Sequence, residues 1–196
     1  MGDHDMGDIT STDPARDGLA DELLAIRCLL GEPAAFDALI ERWHAPLWSY
    51  VRRLTGDDDA AADTMQDVWL RVLRAMPRLQ DPARLRAWLF GIARRTVMDR
   101  LRARYAEPDV VSSDDVDLAS PVDDALDLEE ELSLLHEELA RLPLVEREVL
   151  VLFYLHELTL TQLAEVLAVP VGTVKSRLFR ARRMLRRQLT DPGVHP

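Results

Sequence analysis

The stretch from Thr159 to Arg187 constrains the fold more than any other part of this chain. It opens on Thr159 with Gln162 three residues on, a capping-box pattern in which the two side chains reciprocally satisfy free backbone N–H groups at a helix start. Leu160, Leu163, Ala164 and Leu167 then recur at helical spacing and face inward. A tight turn, Ala168-Val169-Pro170, follows, and a second helix begins near Val171, where the missing N–H of Pro170 does no harm. Val174, Leu178, Ala181 and Leu185 mark the inner stripe of that helix, while Lys175, Arg177, Arg180, Arg182, Arg183, Arg186 and Arg187 lie mostly outward. Two helices joined by a turn of this length, the second one basic, form a helix-turn-helix whose second helix can enter a DNA major groove. Ala164 is small, as a close helix crossing requires. Gly172 and Thr173 leave the start of the second helix uncluttered, so its backbone N–H groups can meet phosphate. Lys175, Ser176, Arg177 and Arg180 can then reach base edges or the backbone. The plainer alternative is a surface helix with a solvated basic face. Cap, turn, small residue and charge all agree against it.

A net charge of −11 taken as an average opposes nucleic acid, but the charge is not evenly spread. Residues 71–105 hold ten arginines and two acids, and residues 170–190 hold seven bases and no acid. Between them, residues 106–140 hold thirteen acids and no Lys or Arg. The mean hides two basic blocks separated by an acidic one. Those acids can compete with DNA for the basic blocks, or serve as a solubilising spacer. The sequence leaves both open.

Four parts follow. Residues 1–20 are polar and acidic and read as a disordered tail. Residues 21–104 read as a helical domain. Phe36, Leu39, Ile40, Trp43, Leu47, Tyr50, Val51 and Leu54 mark one apolar face, with Pro46 expected to kink or divide it. Gly56 and three aspartates make a turn and a new helix start, and Pro77 and Pro82 bracket a loop. Leu85, Trp88, Leu89, Ile92, Thr96 and Leu101 mark a third helix, whose other face is read as carrying Arg84, Arg94, Arg95, Arg102 and Arg104. Residues 105–126 read as an acidic flexible linker, and residues 127–190 as a second helical domain opening on Leu128, Leu132, Leu135, Leu139 and Leu142. No alternating strand pattern bounded by hairpin turns occurs, so the expected fold is all-α: two small helical domains joined by an acidic linker, the second carrying the helix-turn-helix.

Other chemistry finds little footing. The five histidines are scattered and share no metal-ligand spacing with Cys28, the one cysteine, which reads as a buried apolar residue. No phosphate-cradling glycine loop or nucleophile motif is present. No metal, no cofactor and no enzymatic activity are expected. No apolar stretch approaches the ~20 residues of a membrane span, and the acidic N-terminus lacks the apolar core of a signal peptide, so the cytoplasm is the expected compartment. Asp63, Gln66 and Asp67 fall at i, i+3 and i+4, one polar stripe on one helix, which by itself reads as a solvated face or a contact surface. Trp88 and Phe90 are candidates to stack on unpaired bases, although Trp88 lies on the apolar stripe.

The string from Leu163 to Arg182 resembles the promoter-binding C-terminal domain of bacterial sigma-70 family sigma factors, most of all the two-domain extracytoplasmic-function (ECF) class. Leu142-Pro143 and Arg147-Glu148-Val149-Leu150 are similar to that family too. So are the segment from Ala61 to Trp69 and the segment from Trp88 to Arg95 with Asp99 to Arg102. The resemblance covers residues 33–104 and 128–187. It implies that Asp63, Gln66 and Asp67 dock on core RNA polymerase, a partner made of β and β′ subunits among others. It implies that Arg84, Arg94, Arg95, Asp99 and Arg102 serve the minus-ten promoter element, and that Val171, Gly172, Thr173, Lys175, Ser176, Arg177, Arg180 and Arg183 serve the minus-thirty-five element. The loop Met76 to Arg84 becomes a candidate for capturing a flipped base. An anti-sigma factor becomes a probable partner beside promoter DNA, with no membrane insertion. The chain departs from the family pattern at Ala168, often glycine, at Arg95, usually asparagine, and at Ala62, usually an acid. Alanine at a positive φ costs more than glycine, so the turn at Ala168 is expected to be strained or reshaped. Two rivals stay open: a stand-alone regulator, whose sensory domain would normally contain strands, and a helical adaptor, which would not need two basic blocks.

Overall fold

The structure is a computed structural model that describes residues 14–106, 135 and 137–190. All regular elements among the described residues are helical. We label them α1 (Pro14–Leu29), α2 (Pro33–Thr55), α3 (Asp58–Ala75), α4 (Leu85–Ala106), α5 (Leu144–Leu150), α6 (Leu160–Leu167) and α7 (Val171–Thr190). Short 3-10 turns at Met76–Arg78 and Pro82–Arg84 bridge α3 and α4.

Local chemistry sets the helix ends. Gly56 closes α2 at φ 75°, where only glycine is unstrained, and its N–H bonds the Arg52 carbonyl. Asp57 then caps α3 by accepting the Ala60 N–H at 2.6 Å. Asp81 does the same for the Pro82–Arg84 turn, accepting from Ala83. The expected division of α2 at Pro46 does not occur. The helix runs unbroken from Pro33 to Thr55, because Trp43, Leu47, Tyr50 and Val51 on either side of the proline are all buried and hold it in place. The polar tail reading also fails for residues 14–20, which belong to α1. Asp17 and Asp21 pair with Arg42 of α2, at 3.2 and 2.5 Å, and anchor that first turn. Residues 1–13 lie outside the described residues. So do Leu128 and Leu132 and the expected linker, except for residues 105 and 106, which end α4.

α2, α3 and α4 pack mutually, with α1 against α2 and the Pro82–Arg84 turn. α5 and α6 both pack on α7, and α4 packs directly on α6. One buried cluster therefore runs from Leu24 through Phe90 and Val97 into Val149, Leu163 and Ala181. α4 is the hub. Leu85, Leu89, Ile92 and Thr96 are buried along one line, and Phe90, Ala93 and Val97 along another. A helix buried on two sides presents neither one apolar stripe nor one arginine face.

After α5 the chain loosens into a single π turn, Val151–Leu155, closed by the His156 N–H on the Val151 carbonyl at 3.2 Å. That extra residue per turn carries His156 inward, where it is buried.

Candidate nucleic-acid interface

The helix-turn-helix forms with the predicted cap. The Thr159 hydroxyl accepts from the Gln162 N–H at 3.2 Å, and the Gln162 carbonyl oxygen accepts from the Thr159 N–H at 2.9 Å. Ala168 terminates α6 in the left-handed conformation, φ 53° and ψ 46°, and Val169 N–H bonds back to the Ala164 carbonyl. The turn thus keeps the geometry that glycine suits and pays in strain.

α7 buries Val174, Leu178 and Ala181, with Leu185 half-buried beside them. At 100° per residue the opposite face carries Gly172, Ser176, Phe179, Arg183 and Arg187, all exposed, with Lys175 at its edge. Val171 and Thr173 are half-buried at the helix start. Ser176 turns its hydroxyl to the Thr173 carbonyl at 2.9 Å. Arg177 is half-buried on the flank near the buried Glu148, and Arg180 pairs at 3.3 Å with the buried Glu146 of α5. Arg182 lies over the rings of Phe153 and Tyr154, about 5.5 Å from each centroid. Of the predicted contacts, Gly172, Lys175, Ser176 and Arg183 share the open face, while Arg177 and Arg180 are turned to the side. Phe179 escaped the sequence reading. It is 70 % exposed in the middle of that face, and its i, i+4 relation to Lys175 and Arg183 is the clue that would have found it.

The second set does not form one face. Arg95 and Arg102 are exposed on the side of α4 away from α6, with Asp99 beside them holding Arg71 at 2.8 Å and Arg102 at 3.4 Å. Arg95, Arg71, Arg74 and Arg78 rim a cleft of about 260 Å³ floored by Ala75 and Ile92. Arg71, Arg74 and Arg78 come from the end of α3 and the turn after it, outside the residues singled out from sequence. Arg84 and Arg94 go the other way, toward the C-terminal helices. Arg84 pairs with Asp81 and, at 3.0 Å, with Glu165 of α6. Arg94 reaches the buried Glu148 of α5 at 2.9 Å. Helix geometry explains the split, since one residue step turns Arg95 by 100° from Arg94. Trp88 is half-buried against the core, and Phe90 is fully buried, edge-on to Tyr50 at 5.5 Å and 4.8 Å from His156. Phe90 has no surface to offer a base in this arrangement.

On α3, Asp63 and Gln66 are exposed and Asp67 is half-buried. Arg100 of α4 ties Asp67 at 2.9 Å and reaches Asp63 at 3.5 Å. Leu70 and Leu73, exposed one and two turns on, extend the stripe with apolar surface. No helix among the described residues is long and apolar enough to cross a membrane.

A helix-turn-helix with a basic open face, beside a second basic surface on α3 and α4, is the fold of a DNA-binding protein. Residues 39–107 match the family described as sigma-70 region 2, and residues 132–185 match sigma-70, region 4. The ECF RNA polymerase sigma factor SigL of Mycobacterium tuberculosis is 36% identical over 169 residues, 83% of this chain and 93% of SigL. SigW of Bacillus subtilis, another ECF sigma factor, is 28% identical, covering 82% of this chain and 92% of SigW. Among solved structures, the sigma factor RpoE in complex with the anti-sigma factor NepR from Bartonella quintana matches with a TM-score of 0.68 at 25% identity, covering 79% of this chain and 96% of that one. CnrH in complex with the cytosolic domain of CnrY matches with a TM-score of 0.67 at 28% identity, covering 89% and 99%. The chain belongs to the ECF sigma factors of the sigma-70 family, which direct promoter-specific transcription initiation.

Proposed function

We propose that the α1–α4 domain binds the polymerase clamp through Asp63, Gln66, Asp67 and the adjoining Leu70 and Leu73, and serves the minus-ten element through the arginines of α4 and the turns before it. α7 reads the minus-thirty-five element through Gly172, Lys175, Ser176, Phe179 and Arg183. Its exposed N-terminal turn meets phosphate, and Phe179 offers an apolar contact to a thymine methyl. The acidic segment between the domains threads through the core enzyme. Opening of the duplex draws on binding energy rather than catalysis, and the chain works in the cytoplasm with promoter DNA, core polymerase and an anti-sigma factor as partners.

The observation that carries this reading is the pair of basic surfaces, one on α3 and α4 and one on α7, with Arg95 and Arg183 open to solvent on each. The test is run-off transcription with core polymerase on the chain's own promoter. Initiation that depends on the added chain is expected. Initiation only when another sigma factor is supplied, or inhibition, overturns it.

A further inference from the structure

We propose that α1 is a dimerisation helix, whose outer stripe of Leu19, Leu23, Ile26 and Leu30 packs in parallel against the same stripe of a second copy of this chain. None of these four residues is assigned to polymerase or promoter above, so the dimer stands or falls apart from that assignment.

α1 has two apolar sides. The inner one holds Leu24 and Ala25, both buried, and the half-buried Cys28, where the helix packs on α2 and the Pro82–Arg84 turn. Asp17 and Asp21 tie that side to Arg42. At 100° per residue the opposite side carries Leu19, Leu23, Ile26 and Leu30 within an arc of about 60°. Leu19, Leu23 and Leu30 are 68 %, 59 % and 74 % exposed, and Ile26 is 38 % exposed. Leu30 lies one residue past the helix, but its N–H still bonds the Ile26 carbonyl at 3.0 Å, so it keeps the helical phase. One apolar side is enough to join a helix to its own domain. The second has nothing to cover it within the described residues.

Spacing and charge point to a copy of the same helix. Steps of four, three and four are the seam of a coiled coil, with Leu19 and Ile26 at heptad position d and Leu23 and Leu30 at position a. Glu22 then falls at position g on one flank and Arg27 at position e on the other. In a parallel pair, g of one helix meets e five places on in its partner. Glu22 of each chain therefore faces Arg27 of the other, twice across one twofold axis. An antiparallel pair sets like flanks together and loses both contacts. Among the described residues Glu22 has no ion-pair partner, and Arg27 holds Glu32 in an exposed pair at 2.7 Å, which solvent screens.

Area and net charge set the strength. The stripe, with Leu29 beside it, leaves roughly 500 Å² uncovered on each chain, a patch of the size that marks interaction sites. Two such stripes bury at most about 1,000 Å², the weak end of specific interfaces. One heptad earlier the seam position is the exposed Arg16, so the seam ends at Leu19. The charge of −11 on each chain repels the copies. The dimer is therefore reversible, with Kd about 10–100 μM. A membrane surface fits less well. An interfacial helix carries a basic polar face, whereas α1 carries Asp17, Asp21 and Glu22 beside Arg16 and Arg27.

The test is sedimentation equilibrium of the full chain from about 1 to 200 μM, under reducing conditions that keep Cys28 from cross-linking. A reversible monomer–dimer curve is expected. Leu23→Glu sets like charges face to face and should weaken the dimer at least about tenfold, with far-UV circular dichroism and melting temperature unchanged because the site is open in the monomer. Glu22→Arg and Arg27→Glu should each weaken it about fivefold. Mixed one to one, these two variants should bind each other more tightly than either binds itself, which only the parallel register allows. A chain that stays monomeric to about 200 μM overturns the dimer and leaves the stripe to a helix of another protein, or to a membrane where the monomer co-sediments with phosphatidylglycerol vesicles and Leu23→Glu abolishes it. A dimer indifferent to Leu23→Glu, a trimer or larger species, or a mixture no tighter than its components overturns the parallel seam.

Discussion

Ala168 is the residue where sequence and geometry meet most sharply. It sits at φ 53°, a conformation that penalises any Cβ, and the helix-turn-helix still forms because the Thr159 capping box and the buried Leu163, Val166 and Leu167 hold α6. Ala168→Gly should therefore relieve strain of about 1 kcal/mol and raise the melting temperature by about 2–4 °C. A differential scanning experiment that finds no rise would show the strain to be absorbed elsewhere. The strain could be anticipated from the resemblance, in which glycine often stands at this position, whereas an alanine by itself does not announce a left-handed turn. Phe179 could not, because it looks apolar in sequence and only the helix phase exposes it. Phe179→Ala should weaken binding to a minus-thirty-five duplex roughly tenfold, about 1.4 kcal/mol, and leave the melting temperature unchanged. Fluorescence anisotropy reads the first and thermal unfolding the second. A variant with intact affinity would remove Phe179 from the reading face.

At the scale of elements, what was legible followed periodicity and caps, and what was not depended on neighbours distant in sequence. The apolar runs of α2 and α3, the Gly56–Asp57 junction and the capped α6 are written in spacings of three and four and in turn residues, so they could be read directly. α4 could not, since its second buried side faces the C-terminal helices, far along the chain, as in the contact of Arg86 with His156, 70 residues on. Its arginines therefore divided between two surfaces where one face was expected. Pro46 does not divide α2 for a related reason: buried side chains on either side of it outweigh one missing hydrogen bond. The α3 stripe was legible as a stripe, but its tie to Arg100 was not. That tie shapes the test of core docking. Asp67→Arg sets a like charge against Arg100 as well as reversing the stripe, so it perturbs α3–α4 packing too. Gln66→Arg makes no such contact, and Asp63→Arg loses only the longer, solvent-screened pairing with Arg100 at 3.5 Å. All three should lower affinity for core polymerase about tenfold, while only Asp67→Arg lowers the melting temperature noticeably. Surface plasmon resonance with immobilised core that finds all three unchanged would remove the docking assignment.

At the scale of the whole molecule, the contact between α1–α4 and the C-terminal helices should depend on pH through His156. The imidazole is buried, its Nε2 has no hydrogen-bond partner among the described residues, and it faces Tyr50 and Arg53 of α2 and Arg86 and Phe90 of α4. Burial, followed by the charges of Arg53 and Arg86, lowers its pKa from 6.5 to about 4. Opening restores an ordinary value near 6.5, so between these limits the open form binds the proton more readily. The contact is at full strength above pH 6.5 and weakens as the pH falls through that window, by up to about 3 kcal/mol. Glu148 acts in the opposite direction. Its raised pKa lets the closed form take up a proton first, which favours closure as the pH falls toward the ordinary carboxylate range near 4.5. The two groups therefore oppose each other as the pH falls, and replacing the histidine alone separates their contributions. Between pH 6.5 and about 5, a chain carrying Cys28→Ser and spin labels at Asp37→Cys and Leu189→Cys, one on each side of the contact, should pass from short to long distances, and His156→Phe, which keeps a ring against Phe90 and cannot titrate, should stay closed. A wild type that holds the short distance down to pH 5, or a His156→Phe chain that opens along the same curve, would show that protonation of this side chain does not govern the contact.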